Sequence, residues 1–168
     1  MYKLATLGAA AIVAIAGTPA AAQAALGPDA SACKAGSDKS AFLVTVSGFK
    51  ARTGKLRVQL YNDNPSEFLA KGKKLRRVDL PVTASTMPVC IVAPGPGSYA
   101  IAVRHDVKGN GSDWNDGAGF SRNPKLSLLN LKPNVNQVAV PVDGGVKRVN
   151  VVLQYRQGAT IGPVKNAA

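Results

Sequence analysis

The chain has one histidine, one tryptophan and two cysteines among 168 residues, and only 9 acidic residues against 21 lysines and arginines. Each scarcity excludes something. A dedicated zinc centre needs three or four nitrogen or sulfur ligands, which His105 cannot supply if Cys33 and Cys90 are paired. With 5% aromatic residues there is no evident platform for stacking bases, so nucleic acid is excluded as the partner of this basic chain. No nucleophile elbow, glycine-rich phosphate loop or zinc-protease motif occurs. A Ser-His-Asp arrangement would have to use His105 with a serine such as Ser121, and a glycosidase pair would have to come from Asp106, Asp113 and Asp116. Neither rests on a motif, and the chain is read as a non-enzyme with no catalytic residue.

What is present begins with an address. Lys3, the apolar run Leu4 to Ala16, the breakers Gly17 and Pro19 and the small residues after them follow the plan of a secretory signal peptide. The run is too short for a bilayer core of about 30 Å. The best cleavage site follows Ala22-Gln23-Ala24, leaving residues 25–168 as an exported chain of 144 residues, periplasmic or extracellular, with no later membrane span. An uncleaved anchor is the alternative; a lipoprotein would need a cysteine directly after the run, and Cys33 lies too far on. In an oxidising compartment two thiols in one small domain are expected to pair, so Cys33 and Cys90 are read as a disulfide, with two buried thiols the alternative.

Without Lys3 the exported chain has a net charge of +11. Such a field attracts anionic partners, here envelope polymers or lipid head groups, unless it serves solubility alone.

Residues 25–40 are small and polar and read as a flexible lead-in. Then "AFLVTVSGF", "KLRVQLYN", "PVCIVAP", "SYAIAVRHD", "KLSLLNL", "NQVAVPV" and "KRVNVVLQYR" read as strands, several with the period of two of a half-buried sheet. A short helix could start at Ser66, and Asp143-Gly144-Gly145 signals a hairpin. The expectation is an all-β antiparallel sandwich of about seven strands over residues 41–156, with a closed barrel as alternative and a loose tail at 157–168.

Three surface features could carry function. Asp106, Asn110 and Gly111, with Asp113, Asn115 and Asp116 following, spell most of a calcium loop: alternating oxygen ligands, then a glycine that turns the chain back. Against Ca2+, Lys108 puts an ammonium where the cation would sit; the competing reading is a rigid turn in which Asp106 and Asn110 bond backbone amides. His105 is read as capping a strand end through a hydrogen bond rather than binding a metal. Trp114, beside Asn115 and Asp116, is either a stacking face for a glycan or a plug at one end of the sandwich. Finally, Lys71, Lys73, Lys74, Arg76 and Arg77 put five cations into seven residues, either to meet an anionic surface or to keep a sheet edge from aggregating.

The stretch "GSYAIAVRHDVKGNG", followed by Asp113 and "GFSRNP", resembles a family of secreted bacterial β-sandwich proteins known only as a domain of unknown function, with the pattern G-x-Y-A-I-x-V-x-H-D-x-N-x-N-G. "GKLRVQLYN" with Phe68-Leu69 fits its opening strands, so the resemblance spans Phe42 to Tyr155. It implies a sandwich similar to transthyretin-like and carboxypeptidase-regulatory-like domains, so the sandwich is expected to be transthyretin-like or immunoglobulin-like. It also marks two departures, Lys108 in place of Asn and a single residue, Ser112, between Gly111 and Asp113. The functional expectation is a binding or structural module of the cell envelope. A glycan, anionic polymer or protein partner would be met through residues 105–121 and 71–77; a calcium-stabilised domain is the alternative, and a hydrolase the third reading.

Overall fold

The computed structural model describes residues 23–168; the expected signal segment lies almost wholly outside them. Ten strands form in this part: β1 (Ala41–Ser47), β2 (Lys55–Asn62), β3 (Arg76–Pro81), β4 (Thr86–Val92), β5 (Gly97–Asp106), β6 (Gly117–Phe120), β7 (Ala139–Val142), β8 (Val146–Val152), β9 (Tyr155–Gln157) and β10 (Thr160–Gly162). One sheet has the order β4, β1, β8, and the other has β3, β2, β5, β6, with β7 also on β5. The all-β sandwich is thus the fold, and no barrel closes among the described residues.

Alternation explains the packing. Leu56, Val58 and Leu60 of β2 and Tyr99, Ile101 and Val103 of β5 face Phe42, Val44, Val46, Val89, Ile91 and Val151 across the sheets, all buried. The opposite face of β5 carries Ala100 and Ala102, small enough to let a second apolar layer settle on it. Tyr61, Phe68, Phe120, Leu126, Val135 and Val138 form that layer, so the second sheet is covered on both sides.

Several local expectations change. β1 and β8 pair in parallel, Ala41 with Val146 through Ser47 with Val152, because the chain makes its long excursion through the other sheet before returning alongside β1. Asp143-Gly144-Gly145 makes no hairpin: β7 belongs to β5 and β8 to β1, so this turn carries the chain between sheets. The short helix expected at Ser66 is a single turn in which Phe68 N–H donates to Asn64, stopped by Leu69 at φ 61°. "NQVAVPV" divides into a one-turn helix, α1 (Val135–Val138), and β7; the Asn134 and Gln137 side chains cap that turn reciprocally. "KLSLLNL" is no strand, since β6 and β7 end to end already fill the free edge of β5.

β3 and β6 are strands that were not expected. β6 reads "GAGF", with little strand propensity, and the glycines are there for contact: a Cβ on Gly117 would enter the Tyr155 ring, and one on Gly119 would lie 2.6 Å from Val151.

Both the lead-in and the C-terminal segment pack against the sandwich. Leu26 runs beside β4, donating to Pro88 (2.7 Å) and accepting from Cys90 (3.0 Å), and the Cys33–Cys90 disulfide ties this lead-in down. At the other end β9 and β10 pair, and Ala168 N–H donates to Phe49 (2.8 Å). Both segments find unpaired backbone at a sheet edge or core rim, which composition does not reveal.

Candidate functional site

β5 ends at Asp106, and the loop from there to β6 is built around carboxylates whose oxygens are already engaged. Asp106 accepts from Gly109 N–H (2.7 Å) on one oxygen and Gly111 N–H (2.9 Å) on the other. Burial alone would raise its pKa, but those two N–H groups, with Arg104 close by, hold it below the usual carboxylate range. Asp116 accepts from Val107 N–H (3.3 Å) and Asp113 N–H (3.1 Å). Asp113 takes the Lys108 ammonium at 2.6 Å and Asn115 N–H at 2.9 Å; the ammonium depresses the acid's pKa, and the carboxylate raises that of the lysine.

Asp106 thus bonds backbone amides as the turn reading expected, whereas the Asn110 side chain makes no such bond. A cation in the loop would have to displace the backbone amides from Asp106 and the ammonium from Asp113, and Asn110 is exposed. Among the described residues no three His, Cys, Asp or Glu side chains gather as metal ligands.

His105 is fully buried. Its Nε2–H donates to Thr53 O (2.8 Å), which can only accept, so Nδ1 accepts from the Tyr155 hydroxyl (2.6 Å). That hydroxyl oxygen accepts from Lys50 N–H (3.1 Å), and the Phe49 ring packs edge-on at 5.2 Å. Burial lowers the His105 pKa and pushes that of Tyr155 up to about 12. His105 therefore does bond at a strand end, where it pins the β1–β2 connection. Gly54 lies in that connection at φ +75°, against the Asp106 and Val107 carbonyls, where a Cβ has no room.

Trp114 is not a plug: 71% of it is exposed. The Arg156 guanidinium sits 5.3 Å from the ring centre, covering one face of the indole. Beside it runs a groove of about 260 Å³ between this loop, the 126–131 segment and the β9–β10 hairpin. Leu128, Leu131, Ile161 and Ala118 give it apolar walls, while Asp113, Asp116, Gln154 and Arg104 supply polar ones. The Arg104 Nε is buried without a hydrogen bond, 3.8 Å from Asp116. Asn115, expected to join Trp114 and Asp116, is exposed on the loop but does not line the groove.

The family model described as an uncharacterized protein conserved in bacteria (DUF2141) matches residues 44–150. The chain belongs to that family. No curated protein and no solved structure matches it. The DUF2141 span runs from β1 into β8 and contains the whole 105–121 loop, whereas Gln154, Arg156 and Ile161 of the groove lie beyond it.

The basic segment is elsewhere. β3 lies at the opposite edge of its sheet from β6, so Lys71 to Arg77 and the Trp114 loop do not form one surface. Nor do the five cations converge. Arg76 holds the buried Asp29 through two hydrogen bonds; burial raises the acid's pKa, but Arg76 and Val92 N–H bring it below the ordinary value. Arg77 pairs with Asp79 (2.5 Å), which also takes Arg57 (2.8 Å), and Lys73 pairs with Glu67 (2.9 Å). Among the described residues only Lys71 and Lys74 of the five lack an acidic partner.

Sequence reasoning found Trp114 and Asp116 but missed Arg156, Gln154, Ile161, Leu128 and Leu131. No local signal marked them, because the first three sit in what reads as a strand end and a tail, and the leucines look like strand residues.

Proposed function

We propose that the chain is an exported, non-catalytic binding module of the bacterial envelope whose groove beside Trp114 takes a saccharide segment of an anionic glycan. The observation that carries this is the exposed indole, backed on one face by Arg156, lining a mixed apolar and polar groove. A sugar ring presents an apolar face for stacking and hydroxyls for the remaining lone pairs of Asp113 and Asp116, and the net charge of +11 after loss of the leader favours an acidic polymer.

Export is supported by the signal-type leader and by the disulfide, which persists in oxidising compartments. Among the described residues no helix is long and apolar enough to cross a membrane. Two features support a non-catalytic role. Both His105 nitrogens are occupied inside the core, and Ser121, which bonds Ile101 and Val138, lies on a level four residues back along β5, about 13 Å away.

Trp114 fluorescence, followed while acidic and neutral oligosaccharides are titrated in, tests the reading. Saturable quenching or a blue shift by an acidic glycan is expected, and Trp114→Phe should retain binding by calorimetry while Trp114→Ala loses it. No response across the panel would refute it. Arg156→Ala separates the charge from the stack, since it should weaken acidic ligands more than neutral ones.

A further inference from the structure

From Gly117 to Val142 the sequence has no acidic residue, while it carries Arg122, Lys125 and Lys132, all exposed. Within this stretch Ser127 and Asn130 exchange both backbone hydrogen bonds, at 3.2 and 3.0 Å, which puts Leu128 and Leu129 at the tip of a tight turn. Leu129 is fully exposed, and Leu128 and Leu131 are 41% and 49% exposed.

The turn stands on a fixed base. Leu126 is buried and its N–H donates to the Gln154 side chain (3.1 Å), whose amide donates to Pro124 O (2.8 Å); on the other leg Val135 and Val138 are buried. The leucines are therefore held outward by a packed foundation, and an exposed apolar tip of this kind marks a contact surface. Lys125 and Lys132 stand two residues outside the Ser127–Asn130 pair on either leg, and Trp114, on the neighbouring loop, faces the groove that Leu128 and Leu131 line.

We propose that this turn docks the protein on an anionic phospholipid bilayer, Leu129 at its tip entering the acyl boundary while Arg122, Lys125 and Lys132 meet head-group phosphates. Charge complementarity selects this occupant. A second copy would set one acid-free basic turn against another, and a neutral apolar partner would leave the flanking cations without a role. The two acids near the tip, Asp113 and Asp116, are held by Lys108 and by Arg104 and backbone amides, which limits their repulsion of phosphate. The inference stands independently of sugar binding, because Leu129 forms no part of the groove.

Sedimentation of the oxidised chain from Ala25 onward with vesicles tests it; this chain holds every described strand and both cysteines and lacks the leader's apolar run. Binding is expected to vesicles of equal parts phosphatidylglycerol and phosphatidylcholine, weakening with added salt and with fewer anionic lipids. Leu129→Asp should weaken it about tenfold or more at an unchanged melting temperature, because an exposed tip residue supports no packing. Lys125→Glu combined with Lys132→Glu should weaken it by a similar factor. Glycan titration of Leu129→Asp should be unaltered, which separates this surface from the groove. Equal vesicle binding by Leu129→Asp, or no binding by the unaltered chain, would overturn the proposal. So would a concentration-dependent dimer that Leu129→Asp dissolves, since the turn would then belong to a second copy.

Discussion

Lowering the pH from 6.5 to 5.5 should destabilise this protein through one side chain. His105 is fully buried with both ring nitrogens bonded as a neutral imidazole, so the folded state resists a proton that the unfolded chain accepts near pH 6.5. Its folded pKa lies below the unfolded one, chiefly through burial. Above pH 6.5 both states are neutral and stability is full; as pH falls from there toward the folded pKa, the unfolded state gains a proton that the folded state does not. The loss approaches about 1.4 kcal/mol per pH unit, or about 4 °C of melting temperature for a domain of this size. The carboxylates with lowered values, Asp29, Glu67, Asp79, Asp106 and Asp113, change stability only in the carboxylate range and below, so they leave this window to His105. Urea unfolding at half-unit pH steps measures the slope. His105→Gln provides the control: it forfeits part of the Tyr155 and Thr53 bonding and so starts lower, but its stability should be flat across the window. A flat profile for the unaltered chain, or a slope that survives in His105→Gln, would refute the account of a buried neutral imidazole.

Reduction of the Cys33–Cys90 bridge, which closes a separation of 57 residues, should lower stability by about 3–4 kcal/mol, read as a drop in urea midpoint with reductant. The loss should begin in the lead-in, with faster amide exchange at Leu26 and Cys90, whose backbone bonds hold residues 25–33 on β4. Asp106→Ala should cost about 2–3 kcal/mol by leaving the Gly109 and Gly111 N–H groups without their carboxylate, and thermal unfolding of the unaltered chain should coincide in excess calcium and in chelator. A calcium-dependent rise that Asp106→Ala abolishes would show that an ion can displace those amides.

How much of the molecule its residues reveal depends on which forces are local. Alternation along "KLRVQLYN" and "SYAIAVRHD" identified β2 and β5 because side-chain period is a property of a single strand. The two thiols identified their own bond, and the Asp-Asn-Gly spelling of the loop identified a turn, since amide and carboxylate meet within a few residues. β6 was not legible, because "GAGF" carries no strand preference and its glycines answer to Tyr155 and Val151, distant in the chain. Nor was β3, whose Arg76 and Arg77 read as part of a basic run until Asp29 and Asp79 take them up.

The residues alone indicated the all-β class, the basic charge, the disulfide and the Trp114 loop as a place to look. Only the tertiary structure brings β8 back parallel to β1, sets Arg156 of β9 against the indole, and turns Leu128, Leu129 and Leu131 outward while Leu126 stays buried. Each of these depends on which edge or surface is already filled when a segment arrives, and that is a property of the assembled sheets, not of any stretch of chain.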